Sequence, residues 1–222
     1  MDMQVLAFGH DMPLTTLCAG LSCLPQEKSM LSRLDTRRRI EGFALLVAFT
    51  LTVPLANWMI GNVGLVCPPD GPCLIPVAPG LLAPSGVVVA GLAFVLRDLV
   101  QRRLGIAWTV AAITIGAVLS VLVAPPALVL ASVVAFLVSE LADLSVYTPL
   151  QRRGLMLAVV ASSMVGLAVD TLIFLQLAFG NVEFMWGQIV GKGWMVLLAI
   201  PLIHWLRVRD ERQDRELAGA IA

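Results

Sequence analysis

Six apolar stretches, each about as long as a bilayer is thick, leave this chain one class of fold. They run over roughly 43–64, 82–101, 105–124, 126–147, 155–179 and 186–206, and a helix needs about 20 apolar residues to cross the hydrocarbon core. In hydrocarbon each backbone N–H and C=O needs a partner close by, which a helix supplies from within itself. The expected fold is an all-α integral membrane protein with six transmembrane helices. A composition that is 59% hydrophobic agrees.

Basic residues orient those helices. Lys28, Arg33 and Arg37 to Arg39 precede the first span, and Arg97, Arg102 and Arg103 mark the junction of the second and third. Arg152 and Arg153 join the fourth and fifth, and Arg207, Arg209, Arg212 and Arg215 follow the sixth. The other connections, around 65–81, 124–126 and 180–185, contain neither Lys nor Arg. Under the positive-inside rule this places both termini in the cytoplasm of a multi-pass protein of the cell (inner) membrane. The expected division is a loosely ordered cytoplasmic tail over 1–39, a six-helix membrane domain over 40–208 and a charged, helix-prone cytoplasmic tail over 209–222. Met30, just before the basic cluster, is an alternative start.

The formal net charge is zero and the basic residues mark membrane edges, so the electrostatic footprint of nucleic-acid binding is missing. There is no glycine-rich phosphate loop, no helically spaced His pair and no Cys cluster of zinc spacing, so neither a cofactor nor a metal is expected. Cys18 and Cys23 fall on the reducing cytoplasmic side and are expected as free thiols. Cys67 and Cys73 lie in the Pro-rich first outer loop, where a small disulfide ring and two free thiols are equally compatible with the sequence. A loop that long on an otherwise tight face reads as a lid.

Ionisable residues inside spans are costly and usually face a cavity or a partner. Asp170 is the deepest acid, about nine residues, or roughly 14 Å, from the outer end of span five. Ser163 and Gly166 share its face. Lys192 lies about two turns below the outer end of span six, with Gln188 one turn above it and Gly191 and Gly193 beside it. Asn57 reaches a similar depth in span one, just after Pro54, which is expected to kink that helix. This group reads as a binding site; the plainer alternative is a structural Asp170–Lys192 ion pair. A second group lies deeper: Glu140, Asp143 and Tyr147 share one face of span four, and Arg97 and Asp98 approach the same level on span two. These four charged residues are candidates for an ion-pair network or for proton coupling, since buried carboxylates can bind protons near neutral pH.

At these residues the chain resembles the vitamin-uptake-transporter (VUT) family, whose members import queuosine precursors. The resemblance rests on Ser139-Glu-Leu-Ala-Asp143-Leu-Ser-Val-Tyr-Thr-Pro-Leu, Ser162-Ser-Met-Val-Gly-Leu-Ala-Val-Asp170-Thr-Leu-Ile-Phe174, the Arg97-Asp98 pair, Asn57 and Lys192, and it covers about residues 43–207. The chain departs from the family pattern in its Cys-containing outer loop and in Arg97 before Asp98. The resemblance implies a fold like the six-helix substrate-binding (S) components of energy-coupling-factor transporters, with deazaguanine bases such as 7-cyano-7-deazaguanine as ligands.

The residues themselves are compatible with a purine-like substrate. A guanine-type base offers a ring N–H and an amine that Asp170 could accept, and a carbonyl that Lys192, Gln188 or Asn57 could meet. Phe174, Trp186, Trp194 and Trp58 are candidates for stacking, of which Phe174 and Trp194 are deep enough not to be interface anchors. Besides the bilayer and a small molecule, an energy-coupling subunit is a candidate partner, with Ala44 and Ala48 as a small-residue docking pair. Proton coupling and facilitated diffusion are the other routes. A different vitamin-like substrate and a non-transporting scaffold are alternatives. An intramembrane serine protease built on Ser85 and His204 is disfavoured, because these lie about half a membrane apart.

Overall fold

The computed structural model describes residues 25–68, 71–124 and 126–221. Six long helices follow one another: α1 (Pro25–Asn62), α2 (Val87–Leu104), α3 (Ile106–Val123), α4 (Val129–Leu150), α5 (Leu155–Phe179) and α6 (Met185–Ile221). A short hairpin, β1 (Leu74–Ala78) and β2 (Leu81–Pro84), stands between α1 and α2. This is the expected all-α membrane fold. Five of the helices are long and apolar enough to cross a bilayer.

The exception is α2, and its surroundings explain why. Its 18 residues span roughly 27 Å, yet they include Arg97, Asp98, Arg102 and Arg103. None of its residues is exposed. The other helices instead show large apolar side chains outward, among them Leu51 on α1, Leu122 on α3, Leu141 on α4, Leu172 on α5 and Leu198 on α6. That outward apolar surface suits lipid, whereas α2, enclosed by protein, is free to carry charge.

Two boundaries differ from those read in the sequence. Residues 82–86, expected to open the second span, form the end of the hairpin and its turn into α2. Residues 25–39, expected within a loose tail, continue α1 as regular helix; the rest of that stretch, with Cys18 and Cys23, lies outside the described residues. The extension has a partner, because α6 is equally prolonged at its C-terminal end and the two are tied by Arg38–Asp214 (2.6 Å) and Arg209–Glu41 (2.6 Å). Asp210 of α6 also takes Arg102 (2.9 Å) and Arg103 (3.0 Å) of α2. Arg38, Arg102, Arg103 and Arg209 at this face are thus matched by acids that lie just beyond the apolar runs.

At the opposite face the hairpin caps the bundle. Cys67 and Cys73 are joined in a disulfide. Cys73 N–H donates to the Ile60 carbonyl at the end of α1 (2.8 Å), and Ser85 N–H to the Cys73 carbonyl (2.9 Å). Ser85 Oγ donates to the Met59 carbonyl (2.7 Å), so this serine ties the cap to α1. Trp194 of α6 donates its indole N–H to the Val77 carbonyl (3.0 Å). Gly187 has no room for a side chain against the Leu82 carbonyl, which lets α6 run close under β2.

Candidate functional site

Beneath the hairpin lies a cavity of about 110 Å³. Asn57, Asp170, Phe174, Gln188 and Lys192 line it, five of the six binding candidates drawn from the sequence. They do not enclose it alone. Val87 and Ala90 of α2, Ser120 of α3, and Ser132 and Phe136 of α4 complete the wall, so all six helices contribute rather than spans one, five and six only.

Lys192 organises the polar side of the cavity. It is 1% exposed, and its ammonium donates to Asp170 Oδ2 (2.6 Å), Gln188 Oε1 (2.7 Å) and Thr171 Oγ1 (2.9 Å). An ammonium has three donors, and here each is used. The Asp170–Lys192 pair considered in the sequence is therefore present, and it forms part of the cavity wall. Asn57 lies one turn beyond Pro54 and turns its amide N–H back to the Val53 carbonyl (2.9 Å).

The aromatic candidates separate. Phe174 lines the cavity. Trp58, Trp186 and Trp194 are at least half exposed on the outside of the bundle, as indole anchors at span ends usually are; Trp194 holds β1 and does not line the cavity. The second aromatic wall is Phe136, which the sequence reading missed because nothing in the run Val134-Ala-Phe-Leu-Val138 distinguishes it from a lipid-facing residue. Ser120 and Ser132, small hydroxyls in apolar spans, were the available signal for α3 and α4.

The two glycines beside Lys192 behave differently. A methyl on Gly191 would meet Val87 Cγ2 at 2.6 Å and Val77 Cγ1 at 3.0 Å, whereas one on Gly193 would meet nothing within 4 Å. Gly191 permits close packing against α2 and β1. It does not open space for a ligand.

The deeper group forms a single network. Arg97 sends Nε to Glu140 (3.0 Å), Nη1 to Asp98 (2.9 Å) and Nη2 to Asp143 (2.7 Å), with all four side chains no more than 1% exposed. Only the Nε contact has the alignment of a hydrogen bond; the other two are ionic contacts at poor angles. Ser162 of α5 donates to Asp98 Oδ2 (2.7 Å), which joins α2, α4 and α5 through one cluster. Gly166 allows this approach, since a methyl there would stand 3.0 Å from Asp143 Cβ. One guanidinium serves three carboxylates. Ser163, expected on the face of Asp170, is fully buried and does not line the cavity.

Residues 120–206, which include all of α4 and α5, match the family model described as "Putative vitamin uptake transporter". The matched segment contains the Glu140, Asp143, Asp170 and Lys192 positions and supports the VUT family. No curated protein matches the chain, and no solved structure does.

Proposed function

We propose that this VUT-type membrane protein imports a queuosine precursor, a deazaguanine base such as 7-cyano-7-deazaguanine, through the cavity between its six helices. One observation carries the reading: a cavity in the half of the bundle beneath the hairpin has a polar wall of Asp170, Gln188 and Lys192 and aromatic residues Phe174 and Phe136 in its lining. Ligand sites combine an apolar lining with a few placed polar groups. A planar base has two faces for aromatic contact and an edge whose N–H groups a carboxylate accepts.

In this reading Asp170 is the principal ligand acceptor, because only its Oδ2 is engaged by Lys192. The test is uptake of labelled 7-cyano-7-deazaguanine by cells unable to make it. Expression of the chain is expected to confer uptake and Asp170→Asn to abolish it, with the variant still inserted and folded. Restoration of uptake by adding Lys192→Met to Asp170→Asn would reduce the pair to a structural role and end the ligand role of Asp170, while absence of any uptake conferred by the chain would end the import proposal.

The buried network favours proton coupling as the energy source. Three carboxylates around one guanidinium leave two acids whose charge is unmatched in a site where isolated charge is expensive, so protons are the simplest neutralising partners. Collapse of the proton gradient should then stop uptake; unchanged uptake would favour an energy-coupling subunit or facilitated diffusion.

A further inference from the structure

The cavity wall contains a buried donor without a partner. Gln188 is 2% exposed; its Oε1 accepts from Lys192, while its Nε2 meets no acceptor. A buried amide N–H left unpaired is costly, and one on a cavity wall is relieved when a ligand supplies an acceptor. On the other side of the same ammonium, Asp170 Oδ2 is taken and, among the described residues, Oδ1 accepts from none. Lys192 therefore holds a free donor and a free acceptor on either side of itself.

The charges narrow the ligand further. Asp170 and Lys192 are the only charged residues in the described lining, and they neutralise each other at 2.6 Å. A carboxylate or phosphate ligand would find no cation with an unused N–H, since all three donors of Lys192 are engaged. A cationic ligand would find a carboxylate already matched. Buried charge without a partner is strongly disfavoured.

We infer that the cavity selects an uncharged ligand with a lactam edge, its carbonyl taken by Gln188 Nε2 and the adjacent ring N–H by Asp170 Oδ1, and that Lys192 is a positioning residue that orients both without touching the ligand. The inference rests on the cavity being the transport site. It assigns the carbonyl contact to Gln188, leaving to Lys192 the fixing of the amide orientation.

Calorimetric binding to the purified chain tests it, with 7-cyano-7-deazaguanine and the analogue lacking the ring carbonyl oxygen, and with it the lactam N–H, as probes. Gln188→Leu should weaken the carbonyl-bearing ligand about tenfold, the scale of one lost neutral hydrogen bond, and leave the analogue unchanged. Lys192→Met should weaken the carbonyl-bearing ligand and erase the further effect of Gln188→Leu, because an amide that is no longer held does not present its N–H; effects of the two changes that simply multiply would show that Lys192 acts on the ligand independently of Gln188 and overturn the positioning role. If Lys192→Met does not fold, Gln188→Leu, which keeps the Asp170–Lys192 pair, decides alone.

Two outcomes separate this inference from the proposed function. Deazaguanine binding that is indifferent to Gln188→Leu overturns the lactam assignment and leaves the import reading standing. Binding of hypoxanthine or 2-pyridone but not of the deazaguanine, with the same dependence on Gln188, ends the import reading and keeps the lactam edge. Nicotinate bound more tightly than nicotinamide overturns the neutral-ligand rule, and failure of every uncharged lactam to bind overturns both proposals.

Discussion

Gly91 of α2 lies against the backbone of Lys192 of α6, so closely that a methyl on Gly91 would stand 2.5 Å from the Lys192 carbonyl oxygen and 2.7 Å from its Cα. The lysine is therefore positioned by two things: its three hydrogen bonds and the absence of a side chain on the neighbouring helix. Backbone cannot yield as a flexible side chain can, so α6 itself would have to move.

Gly91→Ala should accordingly lower both thermal stability and ligand affinity, with an overpacking cost of about 1–3 kcal/mol. Gly193→Ala is the matched control, because a methyl there meets nothing within 4 Å. Melting temperatures and uptake rates of the two variants check the pair. Equal behaviour would mean that the α2–α6 approach does not position the lysine.

Arg97→Leu should prevent accumulation of folded protein. It strips the cation from three buried carboxylates, and removing one partner of a buried ionic group costs about 3–5 kcal/mol. Glu140→Gln retains an oxygen that can accept from Arg97 Nε and should remain folded. Size-exclusion profiles of the solubilised variants distinguish them; a well-folded Arg97→Leu protein would show that the network is not needed to join α2, α4 and α5.

The Cys67–Cys73 disulfide closes a seven-residue ring at the base of the hairpin, a constraint worth about 2 kcal/mol by loop-closure entropy. Replacing both cysteines with serine should make the hairpin more susceptible to protease added from outside, while β1–β2 pairing and the Cys73 N–H bond to Ile60 are backbone features that the change leaves available. Uptake should persist. Unaltered protease sensitivity would show that the backbone bonds alone hold the cap.

Orientation is checked by thiol labelling in intact cells, in a chain with Cys18 and Cys23 changed to serine. Cysteine at Gly80, in the hairpin turn, should react with an impermeant reagent from outside. Cysteine at Arg152, between α4 and α5, should react only after permeabilisation. Reaction at Arg152 in intact cells would invert the assignment of both termini to the cytoplasm.

The sequence determined what depends on position along a helix. Counting residues at 1.5 Å each gave the number of spans and brought Asp170, Lys192, Gln188 and Asn57 to one depth, and the basic residues divided the two ends. It also singled out Arg97, Asp98, Glu140 and Asp143, because charge within an apolar run is conspicuous. Rotation about the helix axis was a different matter. In a soluble helix the apolar face marks the inside, but in a bilayer both the lipid-facing and the packed faces are apolar, so the sequence carries little contrast between them. Hence Phe136 could not be told from its neighbours, Trp194 was placed inward though it lies outside holding β1, and Gly191 was read as open space though it packs on Val87. Only the tertiary structure decided that α2 is the enclosed helix, that the hairpin replaces the first turn of the second span, and that Lys192 has spent every donor on Asp170, Thr171 and Gln188, because each of these depends on which residues of other helices arrive at the same point in space.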